Sequence, residues 1–433
     1  MVDDHPVSYP QQGLWILDRL DPGQPTYAVP IVHRIDGELD TDALALSIGE
    51  VIGRHEVLRT VYRRRGRAVR QVVLPAEPVR LPIVDLTAHR DPEAEAARLA
   101  DAEARVPFDL STGPVVRQLL LRTGPGRHWL CLTLHHIACD GWSLQILGDE
   151  LSAAYRSLVT GTAPRLRALP EQYADFAEWQ AEQQDSPAVR AALGYWRRRL
   201  GDLPALSTIP ADRPSGPLSG DGANVPFTVA KPVSDRVDHL AGECRATPFA
   251  VLLAAFAALI HARNGGRDAV IGMPVTARER ESHQHLIGMF VNSVVIRLAA
   301  ADATCFRDLV CRARDESRAA IAHRNAPFDS VVAELSPPRT AGIHPVFQLM
   351  ITYQGSAPGG LTLPGCAVTS GFGDTATTKV DMSLSLTRTG TGYSGRLEYS
   401  TDLFEASTAR HLVDQFQEIL ATGTADPLGS LVA

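Results

Sequence analysis

The densest set of groups able to move protons lies at His135-His136, followed after three residues by Asp140-Gly141. A neutral imidazole titrates near pH 7, which makes it the most useful general base there. The run Trp129 to His136 reads as a strand apolar on both faces, and hence interior to a sheet. Side chains alternate across a strand, so the two imidazoles point to opposite faces and their roles must be unequal. His136 shares its expected face with Leu130, Leu132 and Leu134. Asp140-Gly141 reads as a turn, where glycine tolerates a backbone other residues resist. Ser143 is the expected cap of a following helix. Asp140 has two possible roles, orienting an imidazole as in a triad or pairing with a distant arginine to hold the loop, and spacing does not choose between them. Cys139 lies inside the same run, but buried cysteine ordinarily packs as a small hydrophobe.

The elements that must position this cluster show in the periodicity. Asp42 to Leu58 carries a helical apolar stripe, with Thr41 as its expected cap. In Leu144 to Val159, the residues Leu147, Leu151, Tyr155 and Leu158 recur at helical spacing. Pro204, Pro210, Pro214 and Pro217 alternate with Gly216, Gly220 and Gly222, which neither a helix nor a central strand tolerates. Residues 201–222 are therefore read as a crossing segment near mid-chain, within a division into units 1–185 and 186–433. Beyond it, Val237 to Ala262 predicts two helices stopping at Gly265-Gly266. Strands are expected at Ala269 to Ile271, Val291 to Leu298, Val346 to Tyr353 and Tyr393 to Ser400, and a last helix over Ser407 to Leu420. Strands mix with helices in both halves, giving an α/β (mixed α+β) class.

Composition excludes several functions. The 433 residues carry a net charge of −7, with 45% hydrophobic and 21% charged residues and no long block of either sign. A nucleic-acid binder would need a basic stripe, so none is expected here. The N-terminus, Met1-Val2-Asp3-Asp4-His5, is acidic and has no apolar core, unlike a signal peptide. The longest apolar run, Pro248 to Ile260, falls short of the about 20 residues that span a bilayer, so it reads as a buried helix. Cys131, Cys139, Cys244, Cys305, Cys311 and Cys366 are scattered without a C-x-x-C pair, so neither a disulfide framework nor a metal site is expected. A cytoplasmic, reduced protein acting as a monomer fits these features.

Leu134 to Ser143, with His-His-Ile-Ala-Cys-Asp-Gly-Trp-Ser at 135–143, resembles the signature of condensation domains of nonribosomal peptide synthetases. The likeness continues in family order. Ser8 to Trp15 resembles the opening motif, and Arg54-His55-Glu56-Val57-Leu58-Arg59-Thr60 the second. Tyr173 to Gln180 resembles the segment after the active site, and Ile287-Gly288-Met289-Phe290-Val291-Asn292-Ser293 the Gly-x-Phe-Val-Asn run. His323 to Asp329 and Arg339 to Gln348 resemble the last two motifs. Three positions depart from the pattern: Gly13 where arginine is usual, Ala326 where tyrosine is common, and Thr340 where an acidic residue or asparagine is frequent.

The resemblance implies two subdomains like chloramphenicol acetyltransferase, set as a V-shaped pseudo-dimer with a tunnel between them. It implies that His136 is catalytic and His135 structural. It pairs Asp140 with Arg278, in Pro274-Val275-Thr276-Ala277-Arg278, and leaves Gly141 in the motif turn. Trp142 and Ser143 are expected to shape a pocket wall and cap the helix, with Asn292 a packing or bridging residue. The implied reaction forms an amide or ester from a thioester carried on the 4'-phosphopantetheine of a peptidyl or acyl carrier protein. No cofactor is permanently bound. The acceptor is carrier-bound or a free small molecule, and Pro25 to Pro30 resembles domains taking an L-configured donor.

Two other readings compete with this one. The first is a carrier-dependent O-acyltransferase using a free alcohol. The second is a non-catalytic module recruiting carrier and partner enzymes, which the intact His-His-x-x-x-Asp-Gly disfavours. The chain carries no adenylation or carrier domain, so it is read as free-standing or excised from a larger synthetase.

Overall fold

The computed structural model describes residues 4–163, 166–203, 208–213, 218–337, 344–355 and 360–429. It divides into two units. The first holds Met1–Gln184, Arg278–Val291 and Pro358–Thr375, and the second Asp185–Ala277, Asn292–Ala357 and Ala376–Ala433. Two stretches from the second half of the chain thus belong to the first unit.

The first unit is built on a five-stranded sheet, ordered Cys366–Phe372, Ala28–Gly37, Arg127–His135, Val116–Gly124, Ile83–Asp85. The strand leading to the histidines is central. Eight of its nine residues are buried, as expected for a strand apolar on both faces. It pairs antiparallel with both neighbours, Ala28 opposite His135 on one side and Val116 opposite Leu134 on the other. The helix Pro92–Ala104 covers one face, packing Ala96 and Ala100 on Trp129 and Cys131. A smaller sheet orders Asp4–Pro6, Ala68–Val73 and Thr60–Arg65.

Two helices pack together beside the site, Thr41–Arg54 and Gly141–Thr160. The first stops at Arg54, and a separate turn of 3-10 helix follows at Glu56–Arg59, so the stripe expected to Leu58 spans two elements. Its cap is Asp40 rather than Thr41, because the Asp40 carboxylate accepts from both Asp42 N (3.1 Å) and Ala43 N (2.9 Å).

The second unit carries a six-stranded mixed sheet, ordered Val291–Leu298, Ala269–Thr276, Leu349–Gln354, Met382–Thr389, Gly392–Ser400, Gly222–Ala230. Lys231–Glu243, Pro248–Arg263, Phe306–Ala322 and Ala406–Ala425 pack with one another in the same unit. Pro248–Arg263 is apolar all round, and Ala250 to Ala257 are wholly buried. Such a helix belongs in a core. No single helix among the described residues is long and apolar enough to cross a membrane.

The boundary between the units falls at 184/185, and the Pro/Gly segment 201–222 lies inside the second. Its described parts are docked there: Thr208 Oγ1 donates to Asp381 (2.9 Å), Asp212 N to Leu403 O (3.0 Å) and Ser219 N to Asp402 (2.6 Å). Pro204, Pro214, Gly216 and Pro217 lie outside the described residues, as do Met1 to Asp3, Arg339 and Thr340. All six cysteines are free thiols.

Candidate active site

The strand ends at His135, one residue earlier than its hydropathy suggests, and His136 opens a turn of 3-10 helix, His136–Ala138. Strand alternation therefore does not set the direction of His136. A hydrogen bond bends the chain instead: Ile137 N donates to His135 Nδ1 at 3.0 Å. That nitrogen must be unprotonated to accept, so His135 serves as the cap of the turn. Its ring is buried, edge-on to Phe108 at 5.5 Å between centroids.

His136 is half-buried, and its Nδ1 lies 2.8 Å from the carbonyl oxygen of Cys139. A carbonyl only accepts, so Nδ1 carries the hydrogen, and the neutral ring has its basic lone pair on Nε2. The backbone N–H of His136 donates to Tyr27 O (2.8 Å), which fixes the base of the side chain. One histidine thus shapes the turn, and the other is locked in a single tautomer.

Asp140 has no hand in this. Its carboxylate caps the helix Gly141–Thr160, accepting from Ser143 N (2.7 Å) and Ser143 Oγ (2.7 Å). It also accepts from Phe290 N (3.2 Å) and from Arg278 Nη2 at 3.0 and 3.3 Å. The cap is therefore Asp140, not Ser143, since a carboxylate offers more acceptor sites to the orphan amides of a first turn. Gly141 is the first helical residue, so it serves no left-handed turn.

The Asp140 and Arg278 side chains are 1% and 0% exposed. The other terminal nitrogen of Arg278, Nη1, donates to His283 O and to Leu286 O (2.8 Å), and the guanidinium lies 3.9 Å over the Phe290 ring. Burial lowers the pKa of Arg278, and the Asp140 charge opposes that shift. Of the two roles open for Asp140, the loop clamp is the one present.

Ser143 is wholly buried in the same knot. Its hydroxyl accepts from Gly288 N (3.0 Å) and Arg278 Nη2 (3.1 Å), and its single proton serves Asp140 or Gly288 O (2.8 Å). Gly288 is required by close approach, because a Cβ there would stand 1.9 Å from the ring of Tyr173. Tyr173 in turn donates from its hydroxyl to Met289 O (2.5 Å) and meets Ser8 Oγ at 2.7 Å; burial raises its pKa. Trp142 is 53% exposed, with its indole N–H on Gln284 O (3.0 Å), so it is pinned on the surface rather than sunk in a wall.

Several supporting residues carry no individual signal in the sequence. Gln11 is fully buried, and its amide donates to Tyr62 (2.9 Å), Gln71 (3.1 Å) and Ile137 O (3.4 Å), bracing the His136–Ala138 turn. His55 bridges Glu150 of the motif helix (2.8 Å) and Ile287 N (3.4 Å). Both sit inside motifs quoted above, and that placement is the only signal that could have marked them. Asn292 belongs to the second unit, where its amide donates to Arg324 O and Ala326 O (both 2.7 Å) and accepts from Phe328 N (3.0 Å). It staples a loop. Cys139 is buried, with its thiol directed at His135 O (3.7 Å).

A family model, the Condensation domain, matches residues 1–431. The chain belongs to that family. It is 36% identical over 425 residues to the chondramide synthase cmdD of Chondromyces crocatus, covering 98% of this chain and 11% of that protein. It is 37% identical over 439 residues to phosphinothricin tripeptide synthetase PhsC of Streptomyces viridochromogenes, covering all of this chain and 40% of that one. The condensation domain thus spans less than half the length of these relatives.

Its fold matches the X-domain from teicoplanin biosynthesis with a TM-score of 0.88 at 25% identity, over 98% of this chain and 96% of that one. The first condensation domain of the calcium-dependent antibiotic synthetase matches at 0.86 and 22%, over 99% and 98%. The mixed α/β class and the resemblance to condensation domains both hold.

Proposed function

We propose that the chain is a catalytic condensation domain joining an acceptor amine or alcohol to an acyl group delivered as a carrier-bound thioester. The observation that carries this is the locked tautomer of His136. With Nδ1–H held by Cys139 O, the nitrogen able to take a proton is Nε2. The acceptor's nitrogen or oxygen attacks the thioester carbon, its proton passes to His136 Nε2, and the C–S bond breaks. The same proton then neutralises the departing pantetheine thiolate. Holding two reactants in line contributes about 7–11 kcal/mol at most. Backbone amides at the Asp140-Gly141 junction would stabilise the developing oxyanion. The 4'-phosphopantetheine arm belongs to the carrier and is substrate here, not a resident cofactor.

Intact-mass analysis of carriers loaded with candidate acyl groups, with amine and alcohol acceptors offered in parallel, tests the proposal. Appearance of the condensed product with the parent chain, and its loss with His136→Ala, is the expected result. No product from any donor, with carriers verified as loaded, would overturn it.

A second reading has one observation in its favour: a similar fold is found in the X-domain–OxyB complex from teicoplanin biosynthesis, with a TM-score of 0.86 and 26% identity. Under that reading the chain recruits a partner enzyme and shows no turnover. The intact motif and the base tautomer of His136 favour catalysis.

A further inference from the structure

The hairpin formed by Thr60–Arg65 and Ala68–Val73 carries five arginines in eight positions, Arg63, Arg64, Arg65, Arg67 and Arg70, with no acid among them. This occurs in a chain whose net charge is −7. Arg63 and Arg70 stand directly opposite each other, a like-charged pair that costs stability. Among the described residues only Asp4 forms ion pairs with the group, to Arg70 at 2.7 Å and Arg65 at 3.8 Å. Arg63 and Arg64 spend their Nε hydrogens on backbone oxygens, of Ser111 (3.3 Å) and Gly66 (3.0 Å). Arg63, Arg64, Arg65 and Arg67 are exposed.

Protection of an edge strand explains charge on Thr60–Arg65. It does not explain Arg67 at the turn or Arg70 on the central strand. The hairpin also adjoins the site. Tyr62, one residue before the first arginine, reaches Ile137 O of the His136 turn with its hydroxyl (3.5 Å). At about 3.3 Å per residue, the tip lies roughly one strand's length from that turn.

The geometry points to this arginine hairpin as the docking surface for an acidic face on the carrier that delivers the thioester. The inference rests on the proposed function for the carrier's identity, but its charge selection does not. A thioester held at His136 needs its carrier seated on the surface nearby. A cationic patch of one hairpin fits a short acidic helix better than a nucleic-acid duplex, which would need a longer stripe. Such contacts act on encounter and weaken with salt.

The test compares the parent chain with the triple variant Arg63→Gln, Arg64→Gln, Arg67→Gln, which removes three exposed charges, introduces no acid, and keeps both arginines that pair with Asp4. Affinity is measured by fluorescence anisotropy against a panel of phosphopantetheine-loaded carrier domains, a ten-residue poly-glutamate peptide, and a DNA duplex of equal net charge. Turnover is followed with carrier-bound donor and with the same acyl group on N-acetylcysteamine. The expected result is a loss of at least tenfold in affinity for the best carrier and for the peptide, and a KM raised equally for carrier-bound donor. The parent's affinities should fall as salt rises, and turnover of the small thioester should stay within twofold. Equal affinity of parent and variant for carriers and peptide would overturn the inference, as would tighter binding of the duplex than of the peptide. Absence of turnover from either donor, with the affinity difference intact, counts against the proposed function and leaves the docking surface standing.

Discussion

At the scale of single residues, the two adjacent histidines differ by one hydrogen-bond direction each. Nδ1 of His135 receives a hydrogen and Nδ1 of His136 gives one. A neutral amine attacks a thioester with little help, whereas an alcohol must lose its proton as it attacks. His136→Ala should therefore lower ester formation by about 10²-fold or more, the range of general-base catalysis, and lower amide formation by less. Steady-state rates with matched amine and alcohol acceptors check this, and equal retention in both would remove the base role. Cys139→Ala should keep turnover within about twofold, since a buried thiol facing a carbonyl contributes packing. The residue types and the spacing are legible in the sequence. The direction of each hydrogen bond is not, because it depends on a turn that begins one residue before the hydropathy pattern breaks.

At the scale of elements, the helix Gly141–Thr160 is anchored through its first turn by a buried ion pair from a distant part of the chain. Asp140→Ala should cost about 3–5 kcal/mol, because it strands the Arg278 charge in the interior. Urea melts of Asp140→Ala, Arg278→Ala and the double variant form a cycle, in which the double loss should fall well short of the sum of the singles. Gly288→Ala should destabilise by about 1–3 kcal/mol through overpacking against the Tyr173 ring; the same melts measure it. The partnership of Asp140 and Arg278 is reached through the family's motifs, since no periodicity links positions 138 residues apart. Sequence points to Ser143 as the cap because serine is an ordinary cap. The structure gives that work to Asp140, whose carboxylate answers the helix amide, Phe290 N and the guanidinium together.

At the scale of the whole molecule, acid should loosen the fold through histidines buried in their neutral form. Burial pushes His33 and His283 each down to about 4, from an ordinary value of 6.5. Both are buried in the first unit, at 3% and 0% exposure. Between pH 6.5 and 4 the unfolded chain binds protons that these rings refuse, so their stabilisation is complete above 6.5 and declines as pH falls through that window. Tm recorded across that window should drop on acidification, and His283→Phe should flatten the slope. Long periodic elements such as Pro248–Arg263 and the motif strand are legible, because their apolar pattern is strong. The edge strand Cys366–Phe372 is not, because half-exposed alternation with small polar residues gives little signal.

The membership of Arg278–Val291 and Pro358–Thr375 in the first unit has a consequence for biosynthesis. When residues up to Gln184 have left the ribosome, four strands of the sheet, the histidine turn and the motif helix exist as sequence, but the cation for Asp140 has not been made. At about 5–20 residues per second, the roughly ninety residues up to Arg278 take on the order of 5–20 s to synthesise. The edge strand Cys366–Phe372 of the five-stranded sheet arrives later still. The half that holds the histidines is therefore kept open in time, with a carboxylate that is safe only in water, until the other half has been largely translated. A chain cut at the unit boundary would stay permanently in that unfinished state.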